Sequence, residues 1–166
     1  MLPYKQWTHK DDFHITLKFL GTVDDEQLCI LKHELHQLQD FPKFSVNIGA
    51  LNSFGNKNSP RVLWIGVEKT KYIVRLHQLI DELVHQYLGF PRDTRNYQPH
   101  ITLGKRWIGH QTLDNQLAHL AKEINKKYVL NVDEIVLYQI TPSHQPKYSV
   151  VKKFPLNGGG NNRSIN

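Results

Sequence analysis

Six stretches of the chain alternate apolar with polar residues and are rich in strand-forming side chains. Alternation with a period of two is typical of a strand whose two faces meet different surroundings. We therefore predict strands over residues 13–21, 44–51, 61–68, 97–107, 128–140 and 147–156. Residues 52–60 are polar and contain Gly55 and Pro60, which indicates a loop.

Three other stretches carry apolar residues at the spacing of helix turns. The first covers residues 23–40 and begins near Asp24, a residue type that caps helix starts. The second covers residues 70–89 and ends at Gly89, a residue type that caps helix ends. A third helix is predicted over residues 111–126.

The tetrapeptide His-Ile-Thr-Leu occurs twice, at residues 14–17 and, 86 positions later, at residues 100–103. Each copy is followed by a helix, a strand, a loop and a strand, and a proline (Pro60 or Pro146) lies 46 residues after each histidine. Repetition of motif, element order and spacing indicates an internal duplication. We predict an α+β fold of two lobes related by a pseudo-two-fold axis. Antiparallel sheets would line a central cleft between the lobes, with the helices outside.

The duplication is uneven at its N-terminal side. A strand (61–68) and a helix (70–89) precede the second copy, whereas 13 residues precede the first histidine. We therefore expect that the N-terminal strand and helix of the first unit are missing from this chain. A single two-lobed domain then occupies residues 1–156, and the Gly- and Asn-rich residues 157–166 form a flexible tail.

Each tetrapeptide places a histidine and a threonine on one face of its predicted strand. His14 and Thr16 would face the cleft from one lobe, and His100 and Thr102 from the other. Because histidine titrates near neutral pH, one imidazole can accept a proton while the other donates one. Such a pair suits in-line displacement at phosphorus, and the threonine hydroxyls can bind the non-bridging oxygens. This chemistry calls for no metal and no cofactor, and the sequence has neither a glycine-rich phosphate loop nor an HExxH motif.

Further residues near the motifs are candidates for substrate contacts. Lys18 continues the face of the first motif and Arg106 that of the second, although either could be an exposed rim residue. Lys105 should point away from the cleft if its strand stays regular. Four aromatic residues are candidates for stacking on a base, and each could instead belong to the core or anchor a loop: Phe13, Tyr97, Phe54 and Trp7.

Most of the remaining histidines are expected at the surface. His33 and His36 lie three residues apart on the first predicted helix and could form half of a metal site. No carboxylate or cysteine motif completes such a site, so an exposed helix face is favoured. His9 precedes the first motif and could line the cleft. The other surface candidates are His77, His85, His110, His119 and His144.

The formal net charge is +6, from 21 Lys and Arg against 15 Asp and Glu. Such a charge indicates an anionic partner such as RNA or a nucleotide, or it serves only to keep the protein soluble, and composition alone gives the two equal weight. The single cysteine, Cys29, excludes an internal disulfide and indicates a reducing, cytoplasmic setting. No apolar run approaches the roughly 20 residues of a membrane helix. We expect a monomer with no membrane contact and no obligatory protein partner.

HITLKFLG and PHITLGKR resemble the paired H-x-T-x motifs of the two-histidine (2H) phosphoesterases. The chain is most similar to the RNA 2′,3′-cyclic phosphodiesterase branch, also called the 2′-5′ RNA ligase family. QWTHKDDFHITLKFLGTVDD resembles the family's stretch around its first histidine, RVLWIGV its middle strand, and NVDEIVLYQI and KYSVVKKFPL its closing strands. The resemblance covers residues 4–156, and family members usually begin with a further strand and helix.

The resemblance implies hydrolysis of an RNA or nucleoside 2′,3′-cyclic phosphate to a 2′-phosphate. It also implies that His14 protonates the leaving oxygen while His100 activates water, with the roles exchanged in the ligating direction. One alternative within the family is 2′,5′-linkage chemistry. Two others are a non-catalytic RNA-binding module that has kept the cleft and a structural strand repeat whose histidines lie far apart.

Overall fold

The computed structural model describes residues 2–56, 59–109 and 127–158. It contains seven strands and two helices in these ranges: β1 Tyr4–Trp7, α1 Asp25–Glu34, β2 Phe44–Asn56, β3 Ser59–Val67, α2 Lys71–Leu88, β4 His100–Trp107, β5 Tyr128–Val132, β6 Glu134–Ile140 and β7 Tyr148–Pro155. The predicted α+β class is confirmed. The helix predicted over 111–126 lies outside the described residues.

Five antiparallel strands form the larger sheet, in the order β1-β4-β3-β2-β5. β2 and β3 form a long hairpin, so the loop predicted over residues 52–60 is wrong. Asn52 and Ser53 pair there with Trp64 and Leu63. The polar composition of this stretch therefore reflects an exposed strand end, which the alternation rule cannot separate from a loop. β1, which the sequence did not predict, pairs with β4 at the edge of this sheet.

The smaller sheet is the hairpin of β6 and β7. The strand predicted over residues 128–140 is two strands, which separate at Asp133. β5 pairs with β2, while β6 pairs with β7. One apolar stretch therefore contributes to both sheets.

The first motif does not form the predicted strand over residues 13–21. Its single ladder contact in the described structure is an antiparallel bridge between Ile15 and Ile101. The second motif lies in β4, between β3 and β1. The two copies of one tetrapeptide thus meet, although they differ in secondary structure.

Local sequence signals fix both helices. Asp24 accepts from the Gln27 amide, and the Gln27 side chain accepts from the Asp24 amide, so a complete capping box starts α1. After Glu34 the chain tightens into a 3₁₀ segment, Leu35–Asp40. α2 begins after Thr70 and ends at Gly89, whose φ of +70° suits glycine. The predicted helices at 23–40 and 70–89 are confirmed.

The main core lies between the helices and the strands, where α2 contributes its whole apolar face. The C-terminal end of β7 closes this core, because Phe154 and Leu156 are fully buried. The next two residues are not free: the Asn157 and Gly158 amides donate to the backbone of Gln39 and Phe41. The rest of the predicted tail, residues 159–166, lies outside the described residues. Neither described helix is long and apolar enough to cross a membrane.

Candidate active site

The bridge between Ile15 and Ile101 brings the two motifs side by side. Ile15 and Ile101 each lie between the histidine and the threonine of their motif, so this bridge brings the two His-Thr pairs close together. All four side chains line one cleft of about 910 Å³. The structure therefore collects both histidines and both threonines in a single site.

Both histidines are held in the same way. The Nδ1 atom of His14 lies 2.7 Å from the Asp12 carbonyl oxygen, and that of His100 lies 2.7 Å from the Gln98 carbonyl oxygen. A carbonyl can only accept, so Nδ1 carries the hydrogen in each ring. In the neutral imidazole Nε2 is then the nitrogen with a lone pair. Each ring can therefore exchange a proton at Nε2 without losing its anchor.

Aromatic side chains pack on each imidazole. His14 lies 4.4 Å, ring centre to ring centre, from Tyr148 and 6.1 Å from Tyr138. His100 lies 5.0 Å from Phe54 and 5.6 Å from Trp64. These contacts restrict the ring positions. The sequence did not single out Tyr138 or Tyr148, since strand tyrosines carry no motif that places them.

Asp12 is a second feature that the sequence did not reveal. It is 4% exposed, and its carboxylate accepts from the backbone amides of Lys147 and Tyr148 at 3.0–3.1 Å. Its carbonyl is the anchor of His14. Burial, with the nearby Asp12 charge, raises the pKa of the Tyr148 phenol. Tyr148 therefore stays neutral beside the histidine at physiological pH.

Lys18 lines the cleft, but its charge is already paired. Its ammonium lies 2.5 Å from Asp81 Oδ1 and 3.1 Å from the Pro91 carbonyl oxygen. The side chains of Lys18 and Asp81 are 9% and 6% exposed. The lysine predicted to face the phosphate therefore ties the first motif to α2.

The Asp81 carboxylate also accepts hydrogen bonds from Arg92 Nε at 3.3 Å and from the Asp93 amide at 3.0 Å. Burial by itself would raise the pKa of the Asp81 carboxyl. The hydrogen bonds from Lys18 and the Asp93 amide outweigh burial, and the net pKa is lowered. Asp81 is thus a carboxylate that joins the first motif to the loop before the second.

Tyr97 lines the cleft and makes a second link between the motifs. Its hydroxyl donates to the Thr16 carbonyl oxygen at 3.1 Å, and its ring stacks on His77 at 4.0 Å. One face of the ring is therefore already covered. His77 is 7% exposed, so its predicted surface position is wrong. Burial lowers the pKa of His77, against the opposing effect of the Asp81 charge.

A bulge reverses the expected directions of Lys105 and Arg106. Trp64 pairs with Thr102 and Leu63 with Gly104, so Leu103 is an extra residue in β4. Beyond it the alternation shifts by one, and Lys105 lines the cleft with the motif. Arg106 is exposed, adopts a φ of +62° and does not line the cleft, so the prediction that it continues the face of His100 is wrong.

The other candidates fall into two groups. Trp7, Phe54 and His9 line the cleft. Phe13 is 48% exposed and lines an adjoining cavity, which shares His14 and Tyr148 with the cleft.

The cleft is rich in positive charge. Its described lining includes five cations, Lys18, Arg92, Arg95, Lys105 and Lys147, against the carboxylates of Asp12 and Asp93. Lys18 and Arg92 are paired with Asp81, and Arg95 with Asp93, so Lys105 and Lys147 are the lining cations without an ion pair among the described residues. This balance suits an anionic ligand. Within the described ranges, no group of three or more His, Cys, Asp or Glu side chains is placed to hold a metal ion.

Comparison with known proteins gives a family match. A family model described as the 2′-5′ RNA ligase superfamily matches residues 2–142. A Bacillus subtilis protein named RNA 2′,3′-cyclic phosphodiesterase is 34% identical over 157 residues, which are 94% of this chain and 83% of the relative. A Geobacillus stearothermophilus protein of the same name is 32% identical over 164 residues, 98% of this chain. The chain spans 51% of the length of that second relative.

Solved structures show the same fold. The crystal structure of Escherichia coli LigT complexed with 3′-AMP matches with a TM-score of 0.72 and 20% identity, over 93% of this chain and 82% of that one. A Thermus thermophilus protein matches with a TM-score of 0.69 and 22% identity, over 95% of this chain and 86% of that one. At this identity the likeness concerns the fold alone.

Proposed function

Since this chain belongs to the 2′-5′ RNA ligase superfamily, we propose that it hydrolyses RNA or nucleoside 2′,3′-cyclic phosphates to 2′-phosphates, with His14 as general acid and His100 as general base. The observation that carries the proposal is the matched anchoring of the two imidazoles. Both line one cleft, and both donate Nδ1–H to a carbonyl oxygen. Two rings held in one tautomer suit paired proton transfer.

The proposed reaction needs two proton transfers. His100 takes a proton at Nε2 from a water molecule as the water oxygen bonds to phosphorus. The bond between phosphorus and the ribose 3′ oxygen breaks, and His14 gives its Nε2 proton to that oxygen. The product carries a 2′-phosphate, and one further proton exchange restores both rings. Each transfer contributes roughly 10²–10⁴-fold.

Thr16, Thr102 and Lys105 hold the phosphate in this proposal. Both threonines line the same cleft as the two histidines, where a hydroxyl can donate to a non-bridging oxygen. Lys105 adds a cation on the same face, and none of the described carboxylates forms an ion pair with it. Lys18 contributes through its pair with Asp81, as a tether of the first motif.

Ligation uses the same groups, with a ribose 5′ hydroxyl in place of water. His100 takes the proton of that hydroxyl as its oxygen bonds to phosphorus, and His14 protonates the 3′ oxygen that leaves, so the roles are those of hydrolysis. The histidines exchange roles when the 2′,5′ linkage is broken back to the cyclic phosphate. Formation of a 2′,5′ linkage from a cyclic phosphate is therefore the second activity to assay. An RNA-binding module without chemistry is the competing proposal.

The test is hydrolysis of 2′,3′-cyclic nucleotides in the presence of EDTA. We expect turnover by the wild type and a loss of about 10²-fold or more in His14→Ala and in His100→Ala. His33→Gln is the matched control, because His33 is 85% exposed on α1. Full activity in either motif variant, or loss of wild-type turnover in EDTA, contradicts the mechanism. RNA binding that survives both changes without any product favours the binding module.

The product distinguishes the assigned roles. Phosphorus NMR separates a 2′-phosphate from a 3′-phosphate, and the proposal requires the 2′ product. We also propose that the protein acts as a monomer in the cytoplasm, without an obligatory partner. Light scattering coupled to gel filtration, run on the active protein, tests the monomer.

A further inference from the structure

Each motif histidine packs against side chains of a β-hairpin: His100 against the β2–β3 hairpin and His14 against the β6–β7 hairpin. The two hairpins are joined to the motifs in different ways. On the side of His100, β4 pairs directly with β3, and this ladder seats Trp64 beside the imidazole. On the side of His14, the segment around the motif has no ladder to β6 or β7 in the described structure. The contact between Tyr148 and His14 therefore needs another support.

The carboxylate of Asp12 provides that support. Its two oxygens accept three hydrogen bonds from the Lys147 and Tyr148 amides, and these are the hydrogen bonds that join residues 9–22 to the β6–β7 hairpin in the described chain. Asp12 has no cation in contact among the described residues, so these amides are what stabilises its buried charge.

We propose that Asp12 is a positioning residue that couples the docking of the β6–β7 turn to the orientation of His14. One residue performs both tasks: its carbonyl fixes Nδ1 of His14, and its carboxylate holds Tyr148 against the same ring. The position equivalent to Asp12 in the second unit is Gln98, whose carbonyl holds His100. Among the described residues, the hydrogen bond from a backbone carbonyl to a motif histidine occurs in both units, whereas the carboxylate contacts to a hairpin turn occur in the first unit alone.

The variant Asp12→Asn separates the two tasks. It keeps the backbone carbonyl and the shape of the side chain. An amide nitrogen replaces one acceptor oxygen, so its N–H groups face the Lys147 N–H, and two donors are left without an acceptor between them. The turn loosens, and Tyr148 no longer confines the His14 ring.

The kinetic test rests on the proposed function. We expect Asp12→Asn to lower kcat by about tenfold for a 2′,3′-cyclic nucleotide, with KM within about threefold, because the acid is misplaced while phosphate contacts remain. Asp11→Asn is the matched control, since Asp11 is exposed and adjacent. Asp12→Ala removes every acceptor and should lower kcat further. If it does not fold, Asp12→Asn decides the matter.

A second readout does not depend on activity. Nitrogen-15 NMR of the histidine rings reports the tautomer of His14, and His100 serves as the internal reference. In Asp12→Asn we expect His14 to keep its Nδ1–H tautomer, because the carbonyl anchor remains, and its ring signals to broaden as the ring gains mobility. The His100 signals should be unchanged, and amide hydrogen exchange at Tyr148 should be faster by about tenfold. Unchanged His14 line widths and unchanged Tyr148 exchange overturn the proposal. If the wild type proves inactive, the proposed function fails, and these two NMR signals still decide whether Asp12 positions His14.

Discussion

The ammonium of Lys18 lies 2.5 Å from Oδ1 of Asp81, across 63 residues of sequence and inside the protein. Lys18 directly follows the first motif, and Asp81 lies on the buried side of α2. The same carboxylate holds Arg92 and the Asp93 amide. One buried charge thus fixes the first motif, α2 and the loop that leads to the second motif.

Replacing Asp81 with Asn is expected to destabilise the fold by about 3–5 kcal/mol, because the Lys18 charge is left buried without its partner. Lys18→Met should cost less, since Asp81 keeps Arg92 and the Asp93 amide. Urea unfolding at pH 7 measures both. Glu82→Gln is the control: Glu82 is the next residue on α2, is 52% exposed, and contacts Arg92 at 3.8 Å at the surface. An exposed pair of this kind contributes little, so the variant should stay within about 0.5 kcal/mol of wild type. A loss equal to that of Asp81→Asn in this control would argue against the ion pair as the cause.

The sequence was sufficient for features with local causes. The helix starts at Asp24 and Thr70 and the end at Gly89 follow from side chains and backbone angles within a few residues. The pairing of His14 with His100 was also predictable, because a repeated motif in a repeated frame indicates symmetry-related positions.

Features set by distant packing were not predictable. The extra residue Leu103 exchanges the directions of Lys105 and Arg106, and no local pattern marks that bulge. The sequence did contain a signal for the buried contacts of His77 and Asp81. These two polar residues are one helix turn apart on the apolar side of α2, where a polar side chain needs a buried partner. The partner of Asp81 depends on how the first motif packs, which the alternation rule misread as a strand.

The pH dependence of stability should contain a contribution from His77. Burial lowers its pKa in the folded protein below the ordinary value of 6.5. The unfolded chain therefore binds a proton first as the pH falls, and stability is lost from about pH 6.5 downward through the lowered folded pKa. The variant His77→Phe keeps an aromatic ring stacked on Tyr97 and removes the titrating group. Between pH 7.5 and pH 5, its unfolding free energy should fall by less than that of the wild type.

The control for this experiment is His144→Gln, which removes an exposed histidine between β6 and β7. Its drop between the two pH values should match that of the wild type. An identical drop in His77→Phe and wild type would show that His77 is not protonated preferentially in the unfolded chain.

Replacing Tyr97 with Phe tests the second link between the motifs. The change removes the hydroxyl that donates to the Thr16 carbonyl and keeps the ring against His77. Burial raises the pKa of Tyr97, so the hydroxyl remains a donor across the assay range. We expect a stability loss of about 1 kcal/mol and a several-fold fall in kcat/KM, because Thr16 is less firmly placed. Tyr128→Phe, at a 59% exposed position, should leave both quantities unchanged.

The bulge at Leu103 predicts different effects for two adjacent cations. Lys105 lines the cleft with His100, whereas the exposed Arg106 does not line it. Lys105→Met keeps the apolar stem and removes the charge, so KM for a cyclic nucleotide should rise by about tenfold with a smaller effect on kcat. The salt dependence of KM should weaken in the same variant, because one phosphate contact is lost.

Arg106→Met changes the same formal charge one residue further on and is the matched comparison. Its KM should stay within about twofold of wild type, and its salt dependence should be nearly unchanged, since an exposed charge outside the cleft is screened. Steady-state kinetics at low and at physiological salt measure both variants side by side. Equal increases in KM would mean that net charge, and not the direction given by the bulge, governs substrate binding. A rise confined to Lys105→Met would assign the phosphate contact to the side chain that the extra residue turns into the cleft.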